Sequence, residues 1–206
     1  MLMDRIIGAF TFRKGVYAEV EKDTSFTTTA WAIVAVTALV NQISSFFAAQ
    51  SASAAAADFL AETDLGALDM TVSPFNIISG TLVAVVAFAV GCFVVAWVGK
   101  TMFKADVTFE EVVRTMGLAN VWGLVGLLGI LFSFVPLLLC AISPLLFAAS
   151  ILSIAASAVA VKEALDLEWG QTIVTIIVAW VAIFIINFVV GGLLGVGSAV
   201  LSGLGL

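Results

Sequence analysis

Long runs of apolar residues divide this chain, and charged residues are confined to the stretches between them. Three of these runs lie at residues 26–49, 75–98 and 171–190, and a longer one extends from Gly117 to Val161. About 20 apolar residues are enough for a helix to cross the roughly 30 Å hydrocarbon core of a bilayer. Each of the three shorter runs therefore predicts one membrane-spanning helix.

The longest run cannot form a single helix in a bilayer. Residues 117–161 as one helix would be about 67 Å long, more than twice the thickness of the hydrocarbon core. We expect the chain to turn back between Ser133 and Pro144, because this stretch holds the helix-breaking residues Pro136 and Pro144. The turn divides the run into a third and a fourth span, at about residues 117–134 and 140–161. The sequence therefore predicts an all-α polytopic bundle of five transmembrane helices.

Capping residues predict where two of the helices begin. Ser73 and Pro74 precede the second span, where serine can cap the first turn and proline at the first helical position loses no needed donor. Thr108 and Glu111 have the spacing of a capping box. We expect the short helix that they start to be an interfacial lead-in to the third span.

The two ends of the chain lie outside the predicted spans. Residues 1–25 lack the features of a cleaved signal and form either an amphipathic helix along the bilayer surface or a disordered tail. The helix would carry an apolar face, with basic residues able to reach headgroups. The apolar residues are Met3, Ile6, Ile7 and Phe10, and the basic ones are Arg5, Arg13 and Lys14. Residues 191–206 form a glycine-rich apolar tail, too short and too rich in glycine for a sixth span.

Basic residues predict the orientation in the membrane. All eight fall in segments that would share one side, at Arg5, Arg13, Lys14, Lys22, Lys100, Lys104, Arg114 and Lys162. The loop after the first span has no basic residue and carries Asp58, Glu62, Asp64 and Asp69. Because basic residues accumulate on the cytoplasmic side, we expect a cytoplasmic amino terminus and an outside carboxy terminus.

Composition agrees with the pattern and excludes several classes of protein. Hydrophobic residues make up 63% of the chain and charged residues 11%, which excludes an ordinary soluble domain. Ten of the fourteen acids share the predicted side of the eight basic residues, and the resulting charge of about -2 there argues against binding to nucleic acid. The predicted partners are the lipid bilayer and other membrane proteins, in a homo-oligomer or hetero-oligomer.

Residues suited to catalysis or to ligation are scarce. The chain has no histidine and no ionisable residue within the predicted spans, so we expect no catalytic, cofactor-binding or metal-binding site. The polar residues at depth, apart from serines, are Asn41, Gln42, Asn120 and Asn187. They are consistent with a polar pore lining, but hydrogen bonding between helices is the favoured interpretation.

Small residues recur every three or four positions in three of the spans. Such rows lie on one helix face and let backbones approach closely, within this bundle or against a partner. They comprise Ala84, Ala87 and Gly91 in the second span, Gly123, Gly126 and Gly129 in the third, and Ala149, Ser153 and Ser157 in the fourth.

Three short patches lie beside the predicted spans: residues 16–23 (VYAEVEKD), residues 108–119 (TFEEVVRTMGLA) and residues 161–167 (VKEALDL). Together they resemble the prokaryotic branch of the Yip-domain family of five-span membrane proteins. The resemblance covers roughly residues 13–190 and implies a cytoplasmic amino terminus and a non-enzymatic role in organising membranes or partners. In the eukaryotic branch the partners are small GTPases, but this chain lacks that branch's aspartate-leucine-tyrosine-glycine-proline patch. We expect a protein of a prokaryotic plasma membrane.

The sequence thus predicts a scaffold or accessory subunit. We expect residues of the three patches to form a cytoplasmic cluster that locks the loops together or meets a partner: Tyr17, Glu19, Phe109, Glu111, Arg114, Lys162 and Glu163. The alternative hypothesis is a passive channel or small-solute transporter, which requires a continuous hydrated cavity lined by the polar residues at depth.

Overall fold

The computed structural model describes residues 2–13, 15–63, 73–133 and 136–203, and every regular element in these ranges is a helix. The elements are α1 (Leu2–Phe10), α2 (Val16–Lys22), α3 (Phe26–Thr63), α4 (Phe75–Met102), α5 (Phe109–Ala119), a 3-10 helix (Asn120–Val125), α6 (Gly126–Ser133), α7 (Pro136–Leu165) and α8 (Trp169–Gly203). The predicted all-α fold class is confirmed.

Four stretches are long and apolar enough to cross a membrane: Phe26–Ser51, Phe75–Met102, Phe109–Ile130 and Ala141–Leu165. A shorter apolar helix, Trp169–Ile185, follows them. The chain is therefore an integral membrane protein. The fifth span and the positions of the two termini relative to the membrane stay predictions.

Two helices extend beyond their predicted ends. α3 continues to Thr63 through residues 52–57, which are alanine and serine and favour helix. Asp58 and Glu62 consequently lie on this helix and not in a loop, while Asp64 and Asp69 lie outside the described residues. α8 likewise continues to Gly203 through most of the segment 191–206 that was predicted to be a separate tail.

α6 ends at Ser133 and α7 begins at Pro136, and residues 134–135 between them, within the predicted turn, lie outside the described residues. Pro136 begins α7, where its missing N–H costs no helical hydrogen bond. Pro144, the other expected breaker, lies inside α7. Pro144 therefore does not break the helix.

The capping predictions have different outcomes. The capping box is confirmed, because the Glu111 N–H donates to Thr108 Oγ1 over 3.3 Å and the Thr108 N–H donates to Glu111 Oε2 over 2.6 Å. At the second span, Ser73 Oγ accepts a 3.3 Å hydrogen bond from the Phe75 N–H, but the helix begins after Pro74. Residues 112–115 of α5 are buried inside the protein, and the position of this helix at the membrane interface stays a prediction.

The buried core lies at one end of the bundle, where α2 packs against both α5 and α7. The side chains of Val16, Tyr17 and Val20 on α2 are almost completely buried there. The described part of residues 1–25 is therefore helical and packs on the core, and it is not a disordered tail. We call this the basic end, because its elements hold Arg5, Lys22, Lys100, Lys104, Arg114 and Lys162.

Glycines of the third span allow α3 to approach closely. A Cβ on Gly126 would lie 2.7 Å from Asn41 Oδ1, and one on Gly129 would lie 2.8 Å from Ser44 Oγ. Gly123 faces the same helix from the 3-10 segment, whose three residues per turn bring Gly123 and Gly126 to one side. These glycines pack within the bundle.

The other small-residue rows also face neighbouring helices. A Cβ on Gly91 would lie 3.0 Å from Ile183 Cδ1 of α8, and Ala87 is buried beside a half-buried Ala84. Ala149 on α7 is buried. Ser153 and Ser157 are half-buried, and the Ser157 hydroxyl donates to the Ser153 carbonyl over 2.9 Å.

The closest backbone approach involves Gly117, and it predicts a large effect of one methyl group. A Cβ there would lie 2.7 Å from Ala30 Cβ and 3.1 Å from Ala30 Cα, and backbone atoms cannot move aside cheaply. We expect Gly117→Ala to lower the free energy of unfolding by about 1–3 kcal/mol through overpacking. Thermal denaturation of the detergent-solubilised protein measures this change.

Gly170→Ala is the matched control, because a Cβ at Gly170 would meet nothing within 4 Å. Alanine favours helix by about 1 kcal/mol over glycine, so this variant is expected to be as stable as the parent or more so. Equal stability of the two variants would contradict the close α3–α5 packing.

Candidate functional site

Arg114 is the charged side chain around which the basic end is built. It lies on α5, and only 3% of it is exposed. Its Nε donates to the Glu21 carbonyl oxygen over 2.9 Å, Nη2 donates to the same oxygen, and Nη1 donates to Thr27 Oγ1 over 3.3 Å. One side chain therefore joins α5 to α2 and to the start of α3.

The acceptor explains why a cation lies here. The Glu21 carbonyl belongs to the last turn of α2, whose carbonyls have no partner within the helix. The carboxyl end of a helix also carries partial negative charge, which favours a nearby cation. Arg114 thus satisfies a carbonyl that the end of α2 leaves free.

Several carboxylates lie near the contact between Arg114 and the end of α2. Burial raises the pKa of the Glu21 carboxyl above its ordinary value, and the negative charges of Asp166 and Glu111 raise it further against the opposing effect of Lys22 and Arg114. The turn after α7, which carries Asp166, therefore lies near the end of α2.

A second ionic contact fixes α1. Arg5 Nη1 lies 2.7 Å from Asp23 Oδ2, and its guanidinium lies 5.2 Å from the centre of the Phe26 ring. Asp23 Oδ1 also accepts hydrogen bonds from the Ser25 hydroxyl and N–H. The Ser25 bond, followed by Arg5, lowers the pKa of the Asp23 carboxyl. Asp23 thereby joins α1 to the turn between α2 and α3.

Aromatic side chains close the same end. Tyr17 is 2% exposed, and its hydroxyl makes no hydrogen bond within the described residues. Burial raises the pKa of Tyr17 to about 12. Trp122 also has a buried Nε1 without a partner in the described part of the chain, and its ring packs against Phe10 at 4.9 Å and Phe12 at 5.8 Å between ring centres.

The seven predicted cluster residues do not converge on one site. Tyr17 and Arg114 point inward, half-buried Phe109 packs on the core, and Glu111 caps α5. The remaining three are nearer the surface. Glu19 is exposed with its carboxylate 3.2 Å from Arg13, Lys162 Nζ lies 5.8 Å from the Trp169 ring centre, and Glu163 is half-buried.

Lys162 also borders an open depression of about 490 Å³. It is formed by the turn between α7 and α8 and lined by Lys162, Asp166, Leu167, Glu168, Trp169 and Gly170. Its one basic and two acidic side chains give it a mixed polar lining.

The four polar residues at depth take separate directions. Asn41 lies against Gly126 of α6, whereas a Cβ on Gly80 of α4 would lie 2.5 Å from Gln42 Oε1. Asn120 Nδ2 donates to the Met116 carbonyl of its own helix over 2.9 Å. The side chain of Asn187 lies outside the described residues. The described members therefore do not line one continuous path.

Sequence reasoning missed the groups that Arg114 and Arg5 bind. A backbone carbonyl such as that of Glu21 has no signature in the sequence. A usable signal was the position of Arg114 among apolar residues three places after a capping box, because such a charge needs acceptors when buried.

Within the described ranges, no three cysteine, aspartate or glutamate residues lie close enough together to hold a metal ion. Cys92 is a free buried thiol, and the side chain of Cys140 lies outside the described residues.

Comparison with known families gives one match. The family model described as the Yip1 domain matches residues 7–191, which is most of the chain and includes α2, α5 and the end of α7. No curated protein and no solved structure matches the sequence significantly.

The contacts of Arg114 predict its contribution to stability. Arg114→Met would leave the Glu21 carbonyl without its charged donor, so we expect the free energy of unfolding to fall by about 2–4 kcal/mol. Arg13→Met is the matched control, because Arg13 pairs with Glu19 at an exposed position. Its expected loss is below about 1 kcal/mol, and a comparable loss in both variants would contradict the proposed role of Arg114.

The unpartnered hydroxyl of Tyr17 makes the opposite prediction. Tyr17→Phe should be as stable as the parent or more stable at neutral pH, because it removes a buried polar group. The unfolded chain loses the tyrosine proton near pH 10 and the folded chain near 12, so the parent loses stability as the pH rises through this interval.

Melting temperatures of both proteins across this pH range test the prediction. The parent should fall more steeply than Tyr17→Phe, and since Tyr17 is the only tyrosine, its ionisation can be followed by ultraviolet absorbance. Parallel curves would contradict the buried hydroxyl.

Proposed function

The chain belongs to the Yip1 domain family, and from this premise we propose that it is a non-enzymatic scaffold or accessory subunit that organises partner proteins in the membrane. The proposal rests on the hydrogen bonds that hold the helices of the basic end together. Arg114 joins three helices there without contributing to any site of chemistry in the described residues. A surface held in one shape is suited to binding a partner at low entropic cost.

The proposed partner surface is the outer side of the basic end, defined by Glu19, Lys162, Glu163 and Trp169. Glu19 and Trp169 are exposed, and Trp169 lines the depression beside Lys162. Trp and charged residues of both signs favour a polar interface with an aromatic anchor. The inward members of the predicted cluster, Tyr17 and Arg114, would hold this surface in place.

We further propose that the basic end faces the cytoplasm of a prokaryotic cell. The concentration of Lys and Arg residues at this end supports the orientation, through the preference of basic loops for the cytoplasmic side. In this arrangement the amino terminus is cytoplasmic, and α8 carries the carboxy terminus to the opposite side.

α1 is proposed to contact the bilayer surface as well as the protein. Its buried side, with Ala9, packs on the core, whereas Leu2, Met3 and Ile7 are 48%, 67% and 55% exposed. Apolar side chains exposed beside a membrane gain free energy by entering the headgroup boundary. α1 would thus fix the depth of the basic end in the membrane.

The second candidate, a passive channel or small-solute transporter, has weaker support. Asn41, Gln42 and Asn120 have different neighbours and do not form a shared lining. Their separation favours the scaffold over a continuous pathway.

Capture of the protein from its native membrane in mild detergent, followed by mass spectrometry, tests the scaffold proposal. We expect a defined set of partners in constant ratio to this chain. Glu19→Ala and Lys162→Ala should each lower partner recovery about tenfold, which corresponds to about 1.4 kcal/mol of binding free energy, without changing the melting temperature.

Glu110→Ala is the matched control, because Glu110 is an exposed acid of the same end outside the proposed surface. It should leave partner recovery unchanged. Recovery of the chain alone, or equal recovery with all three variants, would contradict the proposed surface.

A further inference from the structure

One face of α3 is buried near the basic end and exposed farther along the helix. Ala30, Val34 and Thr37 on this face are 0%, 3% and 2% exposed. Asn41 and Ser45 continue the same face at intervals of four residues, and both are exposed. The bundle is therefore tightly closed around the first part of α3 and open around the next.

The open part lies between two neighbouring helices. On one side of it, Ser44 Oγ donates to the Gly126 carbonyl of α6 over 3.3 Å. On the other side, Gln42 lies against Gly80 of α4. With 3.6 residues per turn, Ser45 points between these two neighbours, and Leu39 points away from them. Asn41 borders the same gap on the α6 side, beside Gly126.

Asn41 lies deep in the span. It is ten residues, about 15 Å along the helix axis, before the end of the candidate span Phe26–Ser51 and thus near the middle of a hydrocarbon core about 30 Å thick. Neither Asn41 nor Ser45 makes a side-chain hydrogen bond within the described residues. An amide exposed to hydrocarbon without a partner costs several kcal/mol, whereas water in a cavity satisfies it.

We propose that a water-filled crevice enters the bundle from the end opposite the basic end, is lined by Asn41 and Ser45, and stops at Thr37. Its lining of amide and hydroxyl groups suits water and small neutral polar solutes. The core around Ala30 and Val34 closes it toward the basic end, so it is not a channel. The crevice does not depend on the scaffold role.

Cysteine accessibility in membrane vesicles of known sidedness tests the crevice. In a chain with Cys92→Ala and Cys140→Ala, the variants Asn41→Cys and Ser45→Cys are treated with a membrane-impermeant thiol reagent from either side. Only a thiolate reacts, and it forms where water reaches. Both cysteines should react from the side opposite the basic end, about ten times faster or more than Leu39→Cys.

Each of the two control variants, Leu39→Cys and Val34→Cys, differs from the test variants in one property. Leu39 is 42% exposed on the outer side of α3 and reports contact with lipid, whereas Val34 lies on the same face as Asn41 but within the core. If Asn41→Cys and Ser45→Cys both react as slowly as Leu39→Cys, the proposal is overturned, because lipid or protein then fills the space. Entry from the basic end, or fast reaction of Val34→Cys, would also overturn it. Ser45→Cys, a change of one atom, carries the test if Asn41→Cys does not fold.

Discussion

The hydrogen bonds from the Arg114 guanidinium to the Glu21 carbonyl constrain the rest of the structure. A buried guanidinium is stable only when acceptors replace the water that it loses. The end of α2 supplies one acceptor and Thr27 at the start of α3 supplies another. With these contacts, Val16, Tyr17 and Val20 lie buried in the apolar core where α2 packs against α5 and α7.

This constraint acts at one end of the bundle only. Farther along the spans, helix contacts depend on the absence of side chains, as where Gly126 meets Asn41. The 3-10 segment between Asn120 and Val125 matters here, because its three-residue repeat aligns Gly123 with Gly126 toward α3. Small residues permit close approach but do not fill space, so such a bundle can be closed at one level and open at another.

The parts of this fold that depend on local sequence were predictable. Apolar runs indicated four helices long and apolar enough to cross a membrane, and the spacing of Thr108 and Glu111 located a helix start, because both features involve neighbours in the chain. The length of α3 was underestimated, since the alanine-rich stretch 52–57 favours helix but lies beyond the apolar run that marked the span. The candidate site was less predictable, because the partner of Arg114 is a backbone carbonyl 93 residues away in the sequence.

Two asparagines show why residue type alone does not decide the role of a polar group in a membrane. Asn120 bonds the Met116 carbonyl one turn earlier, so its amide is satisfied whatever surrounds the helix. Asn41 has no such bond within the described residues and is exposed on the inner face of α3. The first is consistent with a dry interior, while the second needs water or a partner. The difference follows from the shape of the bundle around each residue, which the sequence of a single span does not contain.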